Sequence, residues 1–458
     1  MIRSLRRTRN IITALICVVG GLGVGMSACN DEPGSIPGVD SGATDQIISD
    51  VTGVPGDSMV GTGDSAGTKD DSGTTVSPAA RLQSKDLIYQ GAFLLPEAFN
   101  YGARGLSFHP TFNNGAEVLF VTGHDAMPGE FGVVSIPEPT KATSADQLSA
   151  ATLVKAPVSF DGTLIDDALD AETSYCSGIE YVAKTGNQTT DKLYGSVDWW
   201  YAVGDQTYST VWFSELDGST PQGLFHVGAN SLPFHGNKMG DFLFTVPQWY
   251  ATAYLGGRTL VTGKTRGAFG GSQGPTLFAF HPTTEDAPVS KTLDALPMLW
   301  YREKSPDCAG PNVGDKTKCD FPNFTMCDKW LGASFVENAT KRAIVLAGVK
   351  GLGDNSYGQP SANDCDIYQG YHCDPFQRQM LFYDADEIAE VATGKRDAWT
   401  VVPYETWVPP QLYMNDGKAQ SCGETGGMAF DPQTKRIFFI EKGYGGDNGA
   451  IVHVWTIP

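Results

Sequence analysis

The chain has 458 residues and a formal net charge of −20 at pH 7. This acidic balance excludes a DNA- or RNA-binding protein, because phosphate backbones require a basic surface. The seven histidines are scattered and form no paired metal-ligand motif, so we expect no metal ion and no cofactor.

Residues 1–28 have the pattern of an export signal. Four arginines lie within the first nine residues, and a short apolar stretch runs from Ile11 to Met26. The segment Met26-Ser27-Ala28-Cys29 resembles the bacterial lipobox, where signal peptidase cuts before a cysteine that carries a diacylglycerol. We therefore expect a lipoprotein signal peptide, with lipidation at Cys29. An ordinary signal peptide, in which Cys29 is incidental, is the alternative.

Residues 29–84 are rich in Gly, Ser, Asp, Thr and Pro and contain few large apolar residues. Such a segment cannot bury enough surface to offset the entropy lost on ordering. We predict a disordered tether between a lipid anchor and the folded domain. The expected location is the bacterial cell envelope, facing the periplasm or the cell exterior, and the expected partner there is the membrane.

A repeated strand pattern occupies residues 85–458. Four copies open with Gly, an apolar residue or Ala, a third residue and an aromatic: Gly105–Phe108, Gly178–Tyr181, Gly332–Phe335 and Gly427–Phe430. Two further apolar runs follow each opening, and a fifth, more diverged copy begins at Asp241. One more strand-like run separates successive copies. Short apolar runs bounded by turn residues indicate strands, and repetition of this length indicates a solenoid or a propeller.

Four strands in each unit predict an all-β fold, a β-propeller of five blades. Six or seven blades stay possible because the units are unevenly spaced, and a β-sandwich is the alternative fold. The last copy lacks a fourth strand, whereas Asp86–Leu94 precedes the first copy. We predict that this N-terminal strand completes the last blade and closes the ring.

Propeller geometry brings two classes of loop to one face: those that enter the first strand of a blade and those that join the second strand to the third. The longest loops of the repeated region belong to these two classes, and long ordered loops are usually functional. The candidate binding residues in them are Arg104, His124, Asp125, Arg266, Lys329, Asp354 and Asp447. For the last two, which belong to Gly-Asp-Asn sequences, simple turn chemistry is the alternative.

Seven of the nine cysteines lie beyond Cys29. Export favours disulfides, and an odd number leaves at least one thiol. Cys365 and Cys373 are close in sequence, so we expect them to pair, and we expect a second local pair among Cys308, Cys319 and Cys327, with Cys308 and Cys319 as the candidates. A zinc ion held by Cys365, His372 and Cys373 is the alternative.

The segments Leu87–Phe93, Phe120–Asp125 and Gly427–Pro432 resemble a group of uncharacterised exported bacterial β-propeller proteins. The resemblance implies the fold and export but no substrate. We therefore expect a membrane-tethered propeller that binds a protein or a glycan on its loop-bearing side. The alternative is an exported glycosidase-like enzyme with carboxylates at the channel mouth, which needs two of them about 5–10 Å apart. The candidate catalytic residues are Glu180, Asp198 and Glu424.

Overall fold

The computed structural model describes residues 80–165, 174–185, 188–199, 209–229, 239–265, 272–282, 292–302, 319–361, 365, 369–412, 422–445 and 448–458. The predicted signal peptide, the lipidation site Cys29 and the tether up to residue 79 lie outside these residues. Among the described helices, none has the length and apolar character needed to cross a membrane.

Strands in this fold are apolar on both faces. In β24 (Arg436–Tyr444), Phe438 and Ile440 pack into one hydrophobic cluster, and Ile437 and Phe439 pack into another on the opposite side. Side chains alternate between the two faces of a strand, so a continuous apolar run means that both faces are covered. Each sheet therefore needs a neighbouring sheet on either side.

The described strands form five large sheets, which we call blades 1 to 5, and one separate hairpin. Blade 1 comprises β3 (Leu106–Thr111), β4 (Ala116–Thr122), β5 (Glu130–Ser135) and β7 (Leu153–Ser159). Blade 2 comprises β8 (Ser174–Val182), β9 (Lys192–Trp199), β10 (Val211–Ser214) and β11 (Gln222–Val227). Blade 3 comprises β12 (Phe242–Thr245), β13 (Leu260–Gly263), β14 (Leu277–Phe280) and β16 (Ala295–Leu299).

Blade 4 comprises β17 (Lys329–Glu337), β18 (Lys341–Gly351), β21 (Phe376–Tyr383) and β22 (Glu405–Trp407). Blade 5 comprises β23 (Thr425–Asp431), β24, β25 (Gly449–Thr456) and β2 (Ile88–Leu94). Three short strands add parallel pairings: β1 (Ala80–Arg81) on β18, β6 (Ser149–Ala150) on β2, and β15 (Thr292–Leu293) on β11. The hairpin consists of β19 (Ser356–Gly358) and β20 (Gly370–His372).

The remaining regular segments are short helices. The α-helices are α1 (Phe112–Gly115), α2 (Gln248–Tyr254) and α3 (Ala385–Ala392), and the 3₁₀ turns are Ser84–Asp86, Glu97–Phe99, Ala145–Gln147 and Ala398–Thr400. The Asp384 side chain caps α3 by accepting a hydrogen bond from the backbone of Asp386. Helix α2 lies in the insertion between β12 and β13 of blade 3, the diverged copy that begins at Asp241.

The five-bladed propeller predicted from the repeats is confirmed. Within each blade, the strands of one copy follow one another in antiparallel order from the ring axis outwards. The predicted ring closure is also confirmed, because β2 pairs with β25 and places Ala92 opposite His453. Two separate sheets packed face to face, as in a β-sandwich, do not match this arrangement.

A buried polar chain ties the closing strand to the preceding blade. The Tyr89 hydroxyl lies 3.1 Å from Nδ1 of His453, whose Nε2 lies 2.8 Å from a carboxylate oxygen of Glu441. The other oxygen of Glu441 lies 3.6 Å from the guanidinium of Arg378 on β21. Because Arg378, Glu441 and His453 are at most 1% exposed, these contacts satisfy groups that water cannot reach.

The start of the folded region differs from the prediction. The predicted tether includes residues 80–84, but β1 pairs with β18 there and Leu82 is fully buried in the cluster between blades 4 and 5. A single leucine among polar residues gave no periodic signal, and only packing against blade 4 orders it.

Deleting residues 86–94 removes the closing strand and exposes the hydrogen-bonding edge of β25. Exposed strand edges pair with other chains, so we expect this deletion to cause aggregation and a lower melting temperature, measured by size-exclusion chromatography and thermal melting. Deleting residues 50–58, an equally long stretch, is the matched control and should change neither. A monomeric 86–94 deletion with unchanged melting would disprove the closure.

Candidate functional site

The first strands of the five blades close the ring axis. A Cβ on Gly427 would lie 2.4 Å from the backbone nitrogen of Leu106, and one on Gly105 would lie 2.6 Å from the carbonyl oxygen of Ser177. The cavity that all five first strands line measures only about 10 Å³, roughly the space of one water molecule. We call the glycines at this level the glycine collar: Gly105, Gly178, Gly332 and Gly427.

On one side of the collar, the loops that enter first strands meet the loops that join second to third strands. Gly102, which precedes β3, bridges to His124, which follows β4. We call this side the loop-bearing face. The predicted grouping of the two loop classes is therefore correct, and the closed axis leaves no room for a ligand between the two faces.

A row of alternating charges crosses the loop-bearing face, and we call it the charged row. Nε of Arg104 donates to the Asp125 carboxylate over 2.9 Å, and the other Asp125 oxygen lies 3.8 Å from Nζ of Lys442. Nζ of Lys442 also lies 3.7 Å from Glu424, whose second oxygen lies 3.5 Å from Nζ of Lys329. Four of the sequence-predicted residues are thus brought together from blades 1, 4 and 5.

Neighbouring charges and burial shift the pKa values of Glu424 and Lys442 in this row. Lys329 holds the pKa of the Glu424 carboxyl well below its usual range, against the opposing effect of burial, and Lys442 and Arg104 add to the lowering. Burial lowers the pKa of the Lys442 ammonium, although Asp125 and Glu424 act in the opposite direction. Because 46% of the Glu424 side chain and 31% of the Lys329 side chain are accessible, these two present an ion pair to an incoming ligand.

Aromatic rings border the charged row. The Arg104 guanidinium lies 4.0 Å from the ring centroid of Tyr175, a cation–π geometry. The Tyr101 and His124 rings lie 5.7 Å apart, and Nδ1 of His124 accepts a hydrogen bond from the backbone of Ala126. His124 therefore sits at the edge of the row, where its ring is positioned by its own loop.

A second charged cluster lies nearby in blades 2 and 3. Nζ of Lys264 donates to Asp198 over 2.6 Å and lies 4.0 Å from a carboxylate oxygen of Asp241, whose other oxygen accepts from the backbone of Thr265. Burial, followed by the neighbouring charge of Asp198, raises the pKa of Asp241 to about 7. Asp198 and Asp241 are 6% and 2% exposed, so the predicted candidate Asp198 is part of a buried cluster.

Glu180 lies beyond the glycine collar, away from the loop-bearing face. Its carboxylate accepts hydrogen bonds from the Ser107 hydroxyl, the Thr245 hydroxyl and the Thr245 backbone, which joins blades 1, 2 and 3. Burial raises the pKa of Glu180 to about 7, against these hydrogen bonds. Along β9, the position paired with Glu180 is four residues from Asp198, about 13 Å at 3.3 Å per residue.

Three predicted binding residues remain: Asp354, Arg266 and Asp447. Asp354 is exposed in the loop after β18, and Arg266 and Asp447 lie outside the described residues. Sequence reasoning missed Lys442, Lys264 and Asp241. Asp241 directly precedes the first strand of blade 3. Arg104 and Lys329 were selected for this same position in the repeat, so the same rule would have predicted Asp241. Lys442 lies inside β24, beyond the apolar run that predicts this strand, and no local pattern marks it.

Two disulfides attach loops to the first strands of blades 4 and 5. Cys327, just before β17, bonds to Cys373, and Cys365 bonds to Cys422, just before β23. The predicted pairing of Cys365 with Cys373 is therefore wrong, because strand pairing in blade 4 places Cys373 beside the entry to β17 instead. The zinc alternative fails for the same reason, since both cysteine ligands are in disulfides.

The remaining cysteines fit the expectation of disulfides and a leftover thiol. Cys319 is disulfide-bonded, while the partner predicted for it, Cys308, lies outside the described residues. Cys176 is a buried free thiol.

Comparisons with known proteins find only distant likenesses. No family model and no curated protein matches this chain. Solved structures similar to it include the Trypanosoma rangeli sialidase in complex with the inhibitor DANA (12% identity over 85% of this chain and 48% of that chain, TM-score 0.29). Another is a protein of unknown function from Dyadobacter fermentans (10% identity over 81% of this chain and 100% of that chain, TM-score 0.32). The chain thus spans about half the length of that sialidase. The β-propeller follows from the strand order given above.

Replacing Glu180 by glutamine removes a buried carboxyl whose pKa is raised from 4.5 to about 7. The stabilising contribution of the protonated form is complete below the unfolded-state pKa and is lost as pH rises through the folded-state pKa. The free energy of unfolding of E180Q relative to the wild type should therefore increase by about 1–2 kcal/mol when the pH is raised from 5 to 8.5, as measured by urea unfolding. E138Q, at an exposed glutamate, is the control, and an equal shift for E180Q at both pH values would contradict the assignment.

Proposed function

We propose that this protein is a lipid-anchored component of the bacterial cell envelope, whose propeller binds a protein or glycan ligand on the loop-bearing face. The lipobox-like sequence ending at Cys29 and the acidic, apolar-poor segment up to residue 79 support the anchor and tether. The observation that carries the binding function is the charged row, because it gathers partly exposed groups from three blades at one place.

The composition of the row suits recognition. Glu424 is held ionised by the surrounding cations, and Lys329 and Arg104 add donors beside it, so the face offers both hydrogen-bond donors and acceptors in fixed positions. Fixed polar groups lose little conformational entropy when a ligand binds. The rings of Tyr101 and Tyr175 add apolar surface at the border, as polar ligands with apolar faces require.

The hydrolase alternative has less support. A glycosidase needs one protonated and one ionised carboxyl group about 5–10 Å apart, both within reach of the substrate. Glu180 has a raised pKa but lies across the closed axis from Glu424. Asp198 and Asp241 are close together, but Lys264 holds them in a buried cluster. Binding requires only the accessible groups of the charged row.

Replacing Glu424 by glutamine removes the central anion of the charged row without changing its shape. We expect E424Q to lose at least about tenfold in affinity for the ligand that the full-length protein binds on a glycan and polysaccharide array, because a desolvated polar contact is worth roughly 1–3 kcal/mol. The same array should be scored for released sugar, which would favour the hydrolase.

The control for this variant is Q433A, at an exposed residue in the turn after β23 on the opposite face. Both variants should melt close to the wild type, since neither deletes a core side chain worth about 2–5 kcal/mol. Loss of binding in Q433A but not in E424Q would place the ligand on the wrong face for this proposal.

Replacing Cys29 by serine removes the thiol that would carry the lipid. We expect C29S to leave the membrane fraction and to lose labelling with a fatty-acid probe, whereas C176S should keep both because Cys176 is a buried thiol within blade 2. Membrane fractionation and labelling that are the same in C29S and in the wild type would rule out the lipid anchor.

A further inference from the structure

A groove of about 460 Å³ lies beside blade 4, outside the charged row. This volume falls within the roughly 300–1,000 Å³ typical of small-molecule sites. The lining residues include Phe321, Asn323, Thr325, Lys350, Gln379 and Thr406. No part of the function proposed above uses this groove.

The sheet of blade 4 forms one wall of the groove. On β21, Leu381 packs into the cluster between blades 3 and 4, whereas Met380 packs into the cluster between blades 4 and 5. Because side chains alternate along a strand, Gln379 points to the same side as Leu381. Thr406 is the strand partner of Leu381, while its neighbour Trp407 packs on the blade 5 side. Gln379 and Thr406 therefore face the groove from blade 4 towards blade 3.

The segment from Phe321 to Thr325 forms the opposite wall, and it is held rigidly. Asp328 is fully buried and accepts hydrogen bonds from the Thr325 hydroxyl and from the backbone of Gly351. The adjacent Cys327 is bonded to Cys373. A wall fixed in this way keeps the groove open before a ligand arrives, and preorganised sites bind at lower entropic cost.

The groove offers no free charge among its described lining residues. Lys350 is the charged side chain there, and its ammonium contacts both oxygens of Asp328, at 2.8 and 3.0 Å, and the carbonyl of Gly351, at 3.1 Å. These three contacts use all three ammonium protons. The amides of Asn323 and Gln379 and the hydroxyl of Thr406 are neutral, so an ionic ligand would find no counter-charge.

An exposed aromatic pair stands on the same side of blade 4. Tyr357 on β19 and Tyr371 on β20 have ring centroids 5.0 Å apart, and Tyr371 packs against the cluster between blades 3 and 4. Tyr357 is 61% exposed. Disulfides at Cys365 and Cys373 hold this hairpin on the blade, so the ring is presented on a rigid support.

We propose that the groove and Tyr357 bind a neutral sugar unit of a glycan. A sugar ring has an apolar face that fits the exposed apolar side chains of Pro322 and Leu352 in the groove lining, and hydroxyls that match the neutral amide and hydroxyl groups. Tyr357 supplies a stacking surface for the adjoining ring. This inference selects the glycan from the two ligand classes of the proposed function, but it concerns a separate surface and can fail independently.

The test uses the full-length protein and saturation-transfer NMR with neutral disaccharides: cellobiose, maltose, lactose and N,N′-diacetylchitobiose. A uronic-acid disaccharide is the charged counterpart. We expect at least one neutral disaccharide to bind and the uronic-acid disaccharide to bind more weakly. Y357A should weaken the neutral ligand about tenfold, which corresponds to about 1.4 kcal/mol, and T406V should weaken it as well.

L153A is the control, because it truncates another exposed apolar side chain, on β7 of blade 1 and outside both proposed ligand surfaces, and it should leave disaccharide affinity unchanged. Circular dichroism verifies that every variant is folded, and T406V keeps the test valid if Y357A is not. Absence of binding to all neutral disaccharides, or a preference for the uronic acid, would overturn the inference. Loss of disaccharide binding in E424Q and Y101A but not in Y357A would also overturn it while supporting the charged row as the glycan site.

Discussion

Burial of both faces of every sheet is the constraint on which this structure depends. A blade with apolar residues on both sides, as in Ile437–Ile440 of β24, is unstable unless another sheet covers each face. Five such sheets cover all of one another's apolar faces only when they form a closed ring. Closure in turn requires β2 to join the last blade, which places β2 beside β25 in one sheet.

The closed ring explains where polar groups can lie. Its interior is filled by interblade hydrophobic clusters, and the glycine collar leaves space for about one water on the axis. Charged side chains inside the ring are stabilised by pairing, as Glu441 is with His453 and Arg378. Polar side chains at strand ends can instead contact both a neighbouring blade and a ligand. The charged row lies at such strand ends.

The two surfaces proposed for ligands follow different physical principles. The charged row alternates three cations with two anions, so each removed charge weakens the pairing of its neighbours, and recognition there depends on ionised groups. The groove beside blade 4 has its single ammonium occupied by Asp328, and it offers neutral donors and acceptors over apolar surface. The disulfides Cys327–Cys373 and Cys365–Cys422 fix the loops around the groove, which gives it rigid walls.

The sequence by itself determined the architecture. Strand periodicity, four runs per repeat and the unpaired segment before the first copy were enough to predict five blades and their closure by an N-terminal strand, because these are local patterns repeated along the chain. Loop positions within the repeat were also enough to place Arg104, Asp125, Lys329 and Glu424 on one face.

Only the tertiary structure decided which side chains meet. Lys442 lies within a strand and Lys264 just after one, so no local pattern marks them as partners of Glu424 and Asp198. Cys373 bonds to Cys327 because blade 4 brings their strand ends together, although Cys365 is nearer in sequence. Glu180 was separated from the other carboxyl candidates by the closed axis. Contacts between distant segments depend on the register and packing of whole blades, and these are set by the ring and not by neighbouring residues.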